Sequence, residues 1–73
     1  MTLAQADRHD PVLEEASREL KAAAHDAQVA FDCIALGELN RAHTSALTAR
    51  VAADAAVTAL QAALVTAGAA AGS

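Results

Sequence analysis

Leu36-Gly37-Glu38-Leu39-Asn40 is the stretch at which the apolar pattern of the chain changes phase. Upstream of it, Leu13, Leu20, Ala27 and Ile34 recur at every seventh position. Ala16, Ala23, Ala30 and Gly37 form a second line beside them. Alternating steps of three and four are those of a seam between packed helices. Carried past Gly37, the same phase meets Arg41, Thr44 and Thr48, all polar. A new seam begins instead, out of phase with the first: Leu39, Ala46, Ala53, Leu60 and Ala67, with Val57 and Leu64 interleaved. One straight helix would carry the two seams on different faces. A reversal at Gly37 lets them face each other. Glycine tolerates the left-handed backbone that ends many helices, whereas inside a continuous helix it would cost about 1 kcal/mol. Asn40 suits the cap of the next helix. The chain is therefore expected to fold as an all-α, antiparallel two-helix hairpin, with helices over residues 11–36 and 40–66.

The start of the first helix is equally local. Asp10 is a preferred N-cap, and Pro11 fits the first helical position, where its missing N–H matters least. Glu14 and Glu15 follow in the first turn, at the positive end of the helix dipole. Residues 1–9 are mixed and polar, a lead-in to the 10–67 hairpin. Residues 68–73 are small, with two glycines, and are expected to be a flexible tail.

Composition bounds the core. The chain has 73 residues, three glycines, one proline and a single aromatic, Phe31. Alanine dominates, which favours helix, but each alanine buries one methyl group, worth about 0.8 kcal/mol. Ordering a residue costs about 1.5 kcal/mol. A lone hairpin of this composition is marginal, so a partner is expected: another copy or a different helical hairpin.

Within the hairpin, the small line Ala16, Ala23 and Ala30 should let two antiparallel backbones approach closely. Leu13, Leu20 and Ile34 would fill the space between, and Phe31 would make the largest contact near the turn. Leu13, Leu20, Phe31, Ile34, Val57, Leu60 and Leu64 are the expected carriers of association, with Ala27 and Ala53 on the same lines. Glu14, Arg18, Lys21, His25, Gln28 and Asp32 form a solvated outer face, on which Glu14 and Arg18 have favourable i,i+4 order. On the second helix, His43, Arg50, Asp54 and Gln61 form a narrow polar stripe. Most of the rest is alanine and threonine, including Thr44, Thr48, Ala52, Ala55 and Ala59, which suits either water or a close neighbour. A reversal at Gly37 would set Asp26 opposite Arg50, or Lys21 opposite Asp54, as alternative rim pairs.

Several function classes lose support on these grounds. The net charge is −4 and no Lys/Arg cluster exists, which disfavours nucleic acid. Cys33 is alone, so no disulfide framework is expected. The first residues show no basic segment followed by an apolar run, so no secretory signal peptide is expected, and the chain is read as cytoplasmic when synthesised. Residues 51–71 are apolar, but Asp54, Gln61 and the weak hydrophobicity of alanine argue against a stable membrane span. His9, His25 and His43 do not have the i,i+4 spacing of a helical zinc site. The turn would bring His43 near Cys33 or Asp32 at most, and His43 fits equally well as a surface residue. A Cys–His nucleophile would also need a cleft and an oxyanion site. No enzyme activity, cofactor or metal is expected.

The stretch from Leu39 to Ala53, LNRAHTSALTARVAA, with the alanine-rich heptads after it, resembles the second helix of small actinobacterial proteins of the Trp-x-Gly type, exported by type VII secretion systems. Asp10-Pro11, Leu13, Ala16, Leu20 and Ala23-Ala24 are similar to their first helix. The resemblance covers residues 10–70. It implies antiparallel hairpins that pair into four-helix dimers, commonly with a different partner. Two features depart from that pattern. The turn carries Leu36-Gly37 with no Trp. The export signal, a Tyr followed four residues later by an acidic residue, is missing, since the chain has no Tyr and nothing acidic after Asp54. The resemblance thus implies a small partner or targeting subunit that is secreted, where it is, on its partner's signal. A structural subunit of a phage or filament array, and an antitoxin-like regulatory partner, are the alternatives from other classes.

Overall fold

A computed structural model of the protein describes residues 10–72, with side-chain burial through Gly68. The 1–9 lead-in and Ser73 lie outside the described residues. Among the described residues there are two helices: α1, Pro11–Ala35, and α2, Leu39–Gly72. They lie antiparallel as one hairpin, 54 × 23 × 13 Å.

Local chemistry sets both ends of α1. The Asp10 carboxylate accepts hydrogen bonds from the Val12 N–H at 2.9 Å and the Leu13 N–H at 3.3 Å. Pro11 follows at the first helical position. Asp10→Ala is expected to cost about 1 kcal/mol, read as a lower midpoint in urea, while Asp10→Asn should cost little. An unchanged midpoint in the alanine variant would mean that the cap does not hold this end. At the other end Gly37 has φ +76°, the left-handed region. The Glu38 N–H donates to the Cys33 carbonyl at 2.9 Å and the Gly37 N–H to the Ile34 carbonyl at 3.0 Å. These are the two bonds of a Schellman ending, which satisfies carbonyls that the last helical turn leaves open.

The turn lies one residue earlier than the sequence suggested, over residues 36–38 instead of 37–39. The Ala42 N–H donates to the Glu38 carbonyl at 2.9 Å, so Glu38, rather than Asn40, stands at the cap of α2. The guanidinium of Arg41, three residues on, donates to the Glu38 carboxylate at 2.5 Å. Asn40 is the second residue of the helix. The far end of α2 is longer than expected: the helix passes Thr66 and Gly68 and runs to Gly72. Its many alanines, each with the best helix propensity, offset the cost of one interior glycine there.

The seam between the helices is alanine against alanine. From α1, Ala16, Ala30 and Cys33 are buried, with Val12, Glu19, Ala23 and Asp26 half-buried. From α2, Ala42, Ala52 and Ala56 are buried, with Ser45, Ala49, Ala59 and Ala63 half-buried. The Ala16-Ala23-Ala30 line thus lies in the seam. Its companion line is Val12, Glu19, Asp26 and Cys33, not Leu13, Leu20, Ala27 and Ile34. On α2 the lines are Ala42-Ala49-Ala56-Ala63 and Ser45-Ala52-Ala59, not Ala46-Ala53-Leu60 with Val57 and Leu64. Each helix is rotated so that its smallest side chains meet. The reason is steric: a leucine between the backbones would hold them apart, whereas two alanine surfaces close to direct contact.

That rotation also settles the charges. The expected outer face of α1, Glu14 through Asp32, is exposed throughout. Arg18 pairs with Glu15 at 2.5 Å rather than with Glu14. Among the described residues the ion pairs are Glu15–Arg18 and Glu38–Arg41, each within one helix. Neither Asp26–Arg50 nor Lys21–Asp54 forms, because Lys21 and Asp54 stand on the outer edges and Arg50 lies off the seam.

Candidate interaction surface

A hairpin has two broad faces, one on each side of its seam. On one of them the lines that sequence periodicity picked out come together as surface. Leu20, Ala27, Phe31 and Ile34 of α1 and Ala46 and Ala53 of α2 border one open groove. Leu13, Leu60 and Leu64 border a second groove near the open end of the hairpin. This leucine face gathers Leu13, Leu20, Phe31, Ile34, Leu60 and Leu64, and all but Leu13 are exposed. Leu20 is 48% exposed, Phe31 68% and Leu64 71%, against 0% for Ala56 in the seam.

Placed residue by residue, the expected contacts divide into two groups. Ala16, Ala23 and Ala30 belong to the hairpin's own seam. Leu13 and Ala53 are half-buried at its edge. Leu20, Ala27, Phe31, Ile34, Val57, Leu60 and Leu64 are exposed. Leu20 and Ile34 therefore do not fill the space between the two helices, and Phe31 makes no buried contact at the turn. The seam residues that periodicity missed are Ala42, Ala49, Ala52 and Ala56. Ala42, Ala49 and Ala56 repeat as a strict heptad with Ala52 on the line beside them, but that signal was outweighed by the larger Val57, Leu60 and Leu64.

The other broad face is more polar. Pro11, Val12, Glu15, Ala55, Thr58, Ala59 and Ala62 line its shallow groove. The Glu15–Arg18 pair, His25 and Asp32 occupy its α1 side by heptad position. Thr44 and Thr58 occupy its α2 side, with Val51 and Val65 on the same heptad line. The Thr48 hydroxyl donates back to the Thr44 carbonyl at 3.1 Å, which satisfies it within the helix. On the leucine face, by contrast, the charged or titratable positions of α2 are His43 and Arg50.

The chemistry-bearing residues stay apart. Cys33 is a free thiol enclosed in the seam, while His43 and Asp32 point to solvent. Among the described residues no three His, Cys, Asp or Glu side chains gather as a metal-binding group. By length and composition alone, Leu39–Gly68 is apolar enough to cross a membrane, with a mean hydropathy of 1.4 in its best window. No family model, curated protein or solved structure matches the chain.

Proposed function

We propose that the chain is a non-enzymatic protein-interaction module that receives another helical hairpin on its leucine face, completing a four-helix bundle. One observation carries this reading: the core is alanine, and the large apolar side chains lie outside it. Such a seam gains about 0.8 kcal/mol per buried methyl group, against about 1.5 kcal/mol per ordered residue, so the hairpin lacks a stabilising term of its own. Leu13, Leu20, Phe31, Ile34, Val57, Leu60 and Leu64 are placed to supply that term once covered.

The similarity of residues 10–70 to type VII secretion hairpins favours a secretion substrate as the biological context, with this chain as its small partner or targeting subunit. Export would then use the partner's signal. The polarity contrast between the two broad faces favours a closed pair over an extended array. Arg50 and Asp54 near the middle of α2 weigh against a membrane span, since each would cost about 2.5–3.5 kcal/mol at the centre of a bilayer.

The test is circular dichroism on the chain alone at low micromolar concentration. Helicity is expected to be partial and the melt broad. Both should sharpen when the chain is concentrated or when a helical partner is added. A dilute monomer that stays fully helical, with a steep melt above about 60 °C, would sink the reading, since that is the range of self-sufficient domains.

A further inference from the structure

We propose that the occupant of the leucine face is a second copy of this chain, docked so that the turn of one hairpin lies over the open end of the other. This rests on the interaction-module reading and names its partner.

Three observations point to it. The first is a second heptad seam on each helix. On α1, Leu13, Ser17, Leu20, Ala24, Ala27, Phe31 and Ile34 alternate in steps of four and three. On α2, Ala46, Arg50, Ala53, Val57, Leu60 and Leu64 do the same. Both seams open onto the leucine face, and in a four-helix bundle each helix needs one seam for each of its two neighbours. The alanine seam serves the hairpin, which leaves the leucine seam for a helix outside it.

The second observation is self-complementarity in size. A two-fold axis through the middle of the face lays α1 antiparallel on α1 of the second copy, and α2 on α2. Leu20 then falls on Ala27 of the second copy, and Leu60 on Ala46. Ala53 meets Ala53 at the axis. Arg50 comes within reach of Asp54 of the second copy, a residue it does not pair with inside its own helix. The other two-fold arrangement, turn over turn, would stack Leu13, Leu60 and Leu64 of both copies at one end and leave the alanines facing alanines.

The third observation is area. From Leu13 to Ile34 the face is about 32 Å long at 1.5 Å per residue and about 20 Å wide across two helices, a footprint of roughly 650 Å² before side-chain relief is counted. A stable protein pair draws about 800 Å² of accessible surface from each partner. The face thus has the extent that a dimer needs.

The experiment is light scattering across a dilution series, with variants on and off the face. The wild-type chain should show twice its 7.3 kDa mass. Leu20→Glu and Leu60→Glu should weaken self-association by about 100-fold or more, because each dimer would then bury two unpaired carboxylates. In a Cys33→Ala background, Ala53→Cys should form a disulfide-linked dimer under mild oxidation, and Thr58→Cys on the opposite face should not. A dimer indifferent to both Glu variants and without the Ala53→Cys link overturns the proposal, since another face would be in use. A large polydisperse mass overturns it too. So does a monomer at all concentrations, and an apolar dye then separates the two readings. Dye binding that Leu20→Glu abolishes would leave the interaction module standing with a different partner. A well-folded monomer that binds no dye would remove both.

Discussion

Ala56→Leu is expected to open the hairpin. Ala56 is fully enclosed between α1 and α2. Three added carbons there have no space, and overpacking of this kind costs about 1–3 kcal/mol. A domain of this length is stabilised by about 0.05–0.15 kcal/mol per residue, so the loss is a large fraction of the total. In a melt followed by circular dichroism it should lower the midpoint by about 5–20 °C. Gln61→Leu is the control, because it places the same leucine side chain on the exposed outer edge of α2, where there is room for it. It should stay within about 0.5 kcal/mol of the parent. Equal losses from the two variants would show that Ala56 is not held in a tight seam.

The contrast between Ala56 and Gln61 also shows where sequence reasoning succeeds on this chain. Helix ends are legible because their causes lie within a few residues. Asp10-Pro11 can cap and start a helix in isolation, and Gly37 can end one. The outer face from Glu14 to Asp32 is legible because charge stays in water. The seam is harder, since periodicity fixes a direction only relative to the residues that are weighted most. Leucine and isoleucine outweigh alanine on any hydrophobic scale, so Leu13, Leu20 and Ile34 drew the expected seam toward themselves. In the folded hairpin closeness of approach decides instead, and alanine wins. The direction set by the leucines is real, but it belongs to the leucine face. Two departures at the ends have their own reasons. A carbonyl decides the cap at Glu38, which is invisible in side-chain preference. The extension to Gly72 follows from alanine propensity outweighing the interior Gly68.

Gly37→Ala is the second substitution with a large expected effect. Gly37 holds φ +76°, and a Cβ built there meets nothing within 4 Å. The cost is therefore one of backbone alone, about 1–2 kcal/mol for an L-residue in the left-handed region. The chain is short enough for chemical synthesis, which allows the mirror-image test. D-Alanine at position 37 favours positive φ and restricts the unfolded chain, so it should stabilise by about 0.4–1 kcal/mol. Opposite signs for the two enantiomers, read from urea midpoints, are the expected result. Destabilisation by both would mean that the turn needs glycine for some reason other than its dihedral angle.

The alanine heptads have a consequence for alignment. Slide α1 along α2 by seven residues, and Ala16, Ala23 and Ala30 still meet Ala49, Ala56 and Ala63 or their neighbours one heptad away. Each layer looks like the next, so the seam hardly distinguishes one axial setting from another. The three residues Leu36, Gly37 and Glu38 do, because so short a connection admits a single offset. Severed at that point, the two helices should still find each other, but as a family of staggered pairs, with uneven ends open to further strands. The loop thus acts as the ruler of this molecule, and its intactness separates a defined hairpin from an indefinite rope.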